Sequence, residues 1–365
     1  MSACAACLRR TALIGLLSTR ISTELANRRA TRQLLALDDE ELIRTLAGTL
    51  TGAARRLVRE FDPRVAIERI DAAALHPLCR HARLYPRQLR DLGDPPAVLH
   101  STAPGERIAQ LSSRPAAAIV GTRRASAYGL EVAATIGRGL GAAGVTVVSG
   151  LALGIDAAAH RGALEAGGAT VAVLGCGADV AYPRANRSLY ERIRANGAVV
   201  AELPPGQRPA RWTFPARNRI MAALGQVTVV VEAAGRSGSL ITVGFAQDLG
   251  RDVCAVPGRV TARMAEGANQ LIVDGAHPIR GAGDVLDLML GAGAWDAGSV
   301  PGERAEPLDA RLERVLEAVE AGDSLDEAAG RARMPASEVR GALGRLELLG
   351  LVRRDGLGAY ERMAR

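Results

Sequence analysis

Arg211 to Met221 reads RWTFPARNRIM, with three arginines, two aromatic rings and an asparagine in one short run of a chain that is only 3% aromatic. Flat apolar faces beside fixed positive charge suit a nucleobase and its phosphate, an acidic partner, or a helix start with its own surface charges. As a nucleic-acid site, Phe214 would stack on a base and Arg211, Arg217 and Arg219 would hold phosphates. Trp212 and Phe214 stapling the helix start is the competing use. Three glycine-rich turns carry the same chemistry elsewhere: GTRRAS (Gly121, Thr122, Arg123, Arg124), SGLALGID (Ser149, Gly150, Asp156) and GRSGSLIT (Ser237, Gly238, Ser239). Small residues let backbone N–H groups approach an anion, hydroxyls donate to it, and arginines add charge. Asp156 would repel a phosphate, so its expected use is capping a helix or orienting an arginine. Glu232, ending its apolar run, is equally ambiguous.

A second set has metal-ligand chemistry. Cys4-x-x-Cys7 has zinc spacing, and Cys79-Arg-His81 adds two ligands, with His76 as an alternative to His81. Four N/S ligands close a tetrahedron, so a structural zinc is a candidate against free thiols. No other cofactor is required. All 46 basic residues are arginine, which excludes Schiff-base catalysis and a P-loop lysine.

The elements that must position these residues follow from the pattern. Up to about residue 75 the spacing is helical, with a break at Asp62-Pro63, and a helical N-terminal domain is expected over 1–75. From Pro115 the runs AAAIVG, GVTVVSG, ATVAVLG, GAVVAEL, QVTVVVEA and RDVCAVPG alternate with helical stretches. Runs apolar on both faces, alternating with helices, predict an α/β fold: a Rossmann-like, doubly wound parallel sheet over 76–290. In such a sheet the strands' C-terminal ends share one edge, so all the turns above, and RWTFPARNRIM, converge there. Residues 291–307 read as a linker. Residues 308–365 read as three helices and a hairpin turning at Asp355-Gly356, a winged-helix domain. Its third helix balances Arg340 and Arg345 against Glu338 and Glu347, which favours a protein contact over strong duplex binding.

The net charge of +7 suits an acidic partner. Five cysteines do not form a secreted disulfide framework, and the opening apolar run is too short to span a membrane. A cytoplasmic protein with no membrane partner is expected.

The motifs YPRQL, DPPAVLH, AIVGTRRASAYG, SGLALGIDAAAH, VAVLGCGADVAYPRANRSLY, FPARNRIMA, VVVEA, SGSLIT, CAVPG and GANQLIVDGA appear in this order. From Tyr85 to the end of the core they resemble the DprA/Smf family of bacterial DNA-processing proteins. The resemblance implies a non-enzymatic protein that binds and protects single-stranded DNA in natural transformation and helps load RecA recombinase. It also implies a homodimer formed through the Rossmann-like domain. It places Arg123, Phe214 and a basic residue at 211 in the DNA pocket, lined at Gly121, Thr122, Ser149, Gly150 and Asn218. The family usually has lysine at 211; arginine keeps the charge but changes a point charge to a planar fork. Two other classes remain as alternatives. A nucleotide hydrolase would need the glutamate of a PGGxGTxxE motif, where this chain has Thr242. A transcription regulator would read duplex DNA through the winged helix.

Overall fold

The computed structural model describes residues 3–24, 34–291, 308–348, 351–354 and 360–362. In chain order its first strands are β1 (His76–Cys79), β2 (Val98–Ser101), β3 (Ala116–Val120), β4 (Thr146–Ser149), β5 (Thr170–Leu174), β6 (Ala198–Ala201), β7 (Val227–Val230), β8 (Asp252–Ala255) and β9 (His277–Pro278). They form one sheet in the order β1-β2-β6-β5-β4-β3-β7-β8-β9. Strands β3 to β9 pair in parallel, for example Val120 opposite Val230, while β1 and β2 add an antiparallel edge beside β6. The chain winds from β3 out to β6, then returns to the other side of β3 with β7. That reversal leaves a crevice at the C-terminal ends of β3 and β7, the place where open α/β sheets take ligands.

Alternation sends each strand into two cores. Ala117 and Ile119 of β3 join Val227 and Val229 of β7 in one cluster, whereas Val120 and Val230 lie in the cluster on the opposite face. Helices Ala127–Ala142 and Ile155–Glu165 cover the first face. They pack so closely that a Cβ on Gly137 would collide with the Ala159 carbonyl, which explains their Gly/Ala-rich sequence. Helix Thr213–Leu224 covers the other face with Ile220 and Met221.

The expected N-terminal helices form, and belong to the same compact unit as the sheet, Met1–Asp296. Asp62 caps the helix Pro63–Ala72, with proline at a position that needs no N–H. Leu13, Leu17 and Ile21 of helix Ala5–Glu24 pack with Trp212, whose Nε1 donates to Ser18 Oγ at 3.1 Å. Among the described residues no helix is long and apolar enough to cross a membrane.

The second unit, Ala297–Arg365, has helices Ala310–Glu320, Leu325–Ala332 and Ala336–Leu348, followed by antiparallel strands β10 (Val352–Arg354) and β11 (Tyr360–Arg362). Asp309 and Ser324 cap the first two helices, and Val315, Val339, Leu346 and Val352 meet in its core. The expected linker from residue 292 and the Asp355-Gly356 turn lie outside the described residues.

Two buried histidines give this fold a pH dependence. The Thr170 hydroxyl donates to the Val147 carbonyl, so His160 must donate to Thr170 Oγ1 at 2.6 Å, which assigns its proton to Nδ1. Burial pushes the pKa of His160 down to about 3 and that of His100 down to about 4. Below the ordinary value of 6.5 the unfolded chain therefore takes up protons that the folded one refuses. Stability is complete above pH 6.5 and falls as pH drops through the window, to about 4 for His100 and about 3 for His160. Between pH 6.5 and 5 each histidine removes about 2 kcal/mol. Thermal melting at pH 7 and pH 5 checks this; an unchanged Tm would contradict the buried neutral assignment.

Candidate functional site

Loops leaving the C-terminal ends of the strands form one rim. The first, after β3, is held in place when Thr122 N–H donates to the Glu232 carbonyl at 2.7 Å. Ser126 caps the following helix and donates through its hydroxyl to the Glu232 carboxylate at 2.5 Å. Glu232 thus anchors the loop from below, leaving Arg123 and Arg124 exposed above it. The Arg123 guanidinium carbon lies 4.9 Å from the centroid of the Phe214 ring, a cation–π contact. Phe214 also has Tyr182 beside it, with centroids 5.9 Å apart and planes tilted by 39°. Tyr182 is 38% exposed. Two rings and a guanidinium thus meet at the rim, from the loops after β3 and β5 and from the helix after β6.

RWTFPARNRIM divides residue by residue. Arg211 is exposed and Phe214 half-buried at the rim, whereas Trp212 is buried against the N-terminal helices. Arg217 and Arg219, expected on phosphates, point inward. Arg219 is 1% exposed, between Glu202 (2.8 Å) and Asp94 (3.1 Å). Burial alone would lower its pKa, but the two carboxylates overturn that and raise it. Arg217 is 6% exposed; its guanidinium donates to the carbonyls of Gly150 and Val173 and to Asn218 Oδ1, with Asp156 at 3.8 Å. Burial lowers its pKa, and Asp156 partly offsets that. The helix is buried on every side from Ala216 to Leu224, so arginines on different faces of it both lie in the interior.

The second loop also differs from expectation. Asp156 Oδ2 accepts from Gly150 N–H (3.2 Å) and Ala152 N–H (3.4 Å), taking the amides on which a phosphate would sit. Burial raises the Asp156 pKa, opposed by Arg217 and by these two amides. The Ser149 hydroxyl is buried and donates to the Ile119 carbonyl at 2.6 Å. Ser149 and Gly150 therefore build the floor of the rim. Gly154, with φ 82°, turns this loop against the first; a Cβ there would strike the Thr122 carbonyl. Gly121 and Thr122 are half-buried beneath Arg123. Asn218 is buried and its Nδ2 donates to the Gly238 carbonyl at 3.3 Å, tying the helix to the third loop. In that loop Ser237 and Ser239 hydroxyls pair at 2.7 Å, with Gly238 exposed between them. Thr242 is fully buried, out of reach of a substrate.

Exposed charge on the rim is mostly positive, with Glu266 an exposed carboxylate beside Gly235 of the third loop. Arg123, Arg124, Arg184, Arg211 and Arg236 are exposed on its loops, and among the described residues none of them is in an ion pair. Glu202, Glu232 and Asp156 are buried and bonded, and half-buried Asp179 accepts from Gly206 N–H at 2.9 Å. Tyr182, Arg184 and Arg236 were missed in the sequence; an aromatic–arginine pair in a post-strand loop, AYPRANR, was the available signal. Away from the rim, Cys4, Cys7, Cys79 and His81 come together, with their sulfur and nitrogen atoms within 4.8 Å of one another.

Comparison with known proteins agrees with this architecture. A family profile described as DNA recombination-mediator protein A matches residues 76–290. The DNA processing protein DprA of Streptococcus pneumoniae (strain ATCC BAA-255 / R6) is 42% identical over 202 residues, covering 55% of this chain and 70% of the relative. An X-ray structure of DprA from Streptococcus pneumoniae aligns with TM-score 0.63 and 30% identity, over 79% of this chain and 99% of that one. DNA processing protein A from Helicobacter pylori, solved to describe its single-stranded DNA binding mode, aligns with TM-score 0.53 and 29% identity, over 59% and 95% of the two chains. By the extent of these matches and the mostly parallel sheet they share, the chain belongs to the DNA recombination-mediator protein A family, that of the DprA/Smf DNA-processing proteins.

Proposed function

We propose that the rim binds single-stranded DNA, stacking a base on Phe214 and holding the neighbouring phosphates with Arg123, Arg124 and Arg211. The observation that carries this reading is the meeting of Arg123, Phe214 and Tyr182 on an edge whose exposed charge is mostly arginine. A cation–π contact at an exposed site is worth about 0.5–1 kcal/mol, less than the roughly 1–3 kcal/mol of a base stacked on an aromatic ring. An incoming base therefore displaces the Arg123 guanidinium from the ring and leaves it free to fork onto a phosphate. Bases in a duplex already stack on each other, so the site prefers unpaired strands.

The protein acts by binding, with no catalytic step of its own. The rim carboxylates Asp156 and Glu232 are engaged by backbone amides and Ser126, which leaves little for acid–base work. In keeping with its family, the strand is protected and presented to RecA recombinase in the cytoplasm during transformation or recombination, by a homodimer formed through the Rossmann-like domain. The C-terminal unit is read as a winged helix, since three helices precede its antiparallel strand pair. That unit's third helix carries Glu338 and Glu347 against Arg340 and Arg345 and is nearly neutral by itself, favouring a protein contact over duplex reading.

Titration with single- and double-stranded oligonucleotides at two salt concentrations, without added metal, tests the reading. Single strands should bind more tightly, with a log–log salt slope of about −2 to −3.5 for three to five phosphates. Equal or tighter duplex binding would refute it, and release of a base from a nucleoside monophosphate would favour the hydrolase.

A further inference from the structure

We propose that Cys4, Cys7, Cys79 and His81 form a tetrahedral structural zinc site that fastens the first helix to the outer edge of the sheet. The site is independent of the rim and does not rest on the reading of the DNA pocket.

Local structure brings the four together from two places. Cys4 immediately precedes helix Ala5–Glu24 and Cys7 lies in its first turn, so the two side chains share one face. Leu8 N–H closes that turn on the Cys4 carbonyl at 3.1 Å. The amide end of a helix favours thiolates, as it favours other anions. Cys79 ends β1 opposite Val98, and the chain turns at once, with Ala82 N–H donating to the Cys79 carbonyl at 2.8 Å. This turn swings His81 back, so a spacing of two residues still brings both ligands to one point. His76, the alternative to His81, lies at the other end of β1, opposite Ser101, and is not in the cluster.

The atoms are already near zinc geometry. His81 Nδ1 is 3.5 Å from Cys4 Sγ and 3.4 Å from Cys7 Sγ. Zinc bonds of about 2.3 Å to sulfur and about 2.0 Å to nitrogen in a tetrahedron put such atoms roughly 3.5 Å apart. Cys7 and Cys79 are buried among Leu8, Ile70, Ala97 and Val98, while Cys4 and His81 are exposed, which leaves a path for the metal. Three thiolates and an imidazole are soft and borderline donors that suit zinc and exclude magnesium or calcium. Four protein ligands leave no open position, so the role is structural.

The full chain, purified under reducing conditions without chelator, is analysed for metals and its site exchanged with cobalt(II). We expect about one zinc per chain and the visible and charge-transfer bands of a tetrahedral thiolate–imidazole cobalt centre. Chelation should lower Tm, because binding free energy adds to folding free energy. Cys4→Ala and His81→Ala alter exposed side chains and should fold, yet lose zinc at least fivefold and lose the cobalt bands; Cys254→Ser should keep both. Less than about 0.2 zinc per chain after reconstitution, iron in its place, or full zinc retention in Cys4→Ala would each overturn the proposal.

Discussion

Phe214→Ala and Arg123→Ala each reduce affinity for a single-stranded oligonucleotide at least tenfold, while Tm moves by no more than a few degrees. The alanine at 214 removes a base stack worth roughly 1–3 kcal/mol, and the alanine at 123 removes a charged hydrogen bond to phosphate of about 1.5–3 kcal/mol. Neither residue supports the core. Arg123 is exposed, and Phe214 is half-buried against Tyr182 and Arg123, both at the surface. The two should differ in salt response: Arg123→Ala flattens the salt slope by about 0.7, one phosphate's worth, whereas Phe214→Ala leaves it unchanged. Equilibrium titration at two ionic strengths, with melting curves on the same samples, checks both. Unchanged affinity in both variants would remove the pocket from this rim even though the family is secure.

Arg219→Met produces the opposite pattern. The guanidinium lies in the interior against two carboxylates, at 2.8 Å from Glu202 and 3.1 Å from Asp94. Taking it away removes the guanidinium that these two buried carboxylates share, which destabilises by about 3–5 kcal/mol. In a unit of this size that is a fall in Tm on the order of 10 °C. Affinity, measured at a temperature where the variant is still folded, should stay near that of the unaltered protein. Adding Asp94→Asn and Glu202→Gln should recover part of the loss, because the penalty comes largely from the stranded carboxylates. If Arg219→Met instead lost affinity and kept its Tm, this arginine would belong to the DNA contact after all.

Much of the architecture was legible because it depends on composition along short windows. The runs AAAIVG and QVTVVVEA are apolar at every position, which only a strand buried on both faces requires, and they became the adjacent central strands β3 and β7. Parallel direction then forced the loops that follow them onto one edge. Thus Arg123, after β3, and Phe214, after β6, could be placed on the same rim from order alone, and the fold brings them to 4.9 Å.

The allocation of individual side chains was not legible. Arg211, Arg217 and Arg219 are the same residue type within nine positions, yet one meets solvent and two hold the interior. What separates them is that Arg211 precedes the helix while the helix itself is buried all round, and that the buried pair find distant partners: Glu202 on one side of Arg219, Asp94 from far earlier in the chain on the other. Its glycine-rich turn makes Gly150 a phosphate-binding amide in sequence, but in the fold its N–H donates to the carboxylate of Asp156, six residues on. In the other direction, the sequence leaves His76 and His81 both open as the fourth ligand, and a turn after β1 brings Cys79 and His81 to the same point as Cys4 and Cys7.

By itself, then, the sequence determined the order of strands and helices, the edge on which the loops gather, and the family. The first two depend on local periodicity and on the handedness of the connections, and the family on the ordered motifs, all written into neighbouring residues. Tertiary structure alone decided which arginines meet solvent, which glycine amides are already taken, and that four ligands from opposite ends of a long segment share one point. Burial and ion pairing depend on partners remote along the chain, and no window of sequence contains them.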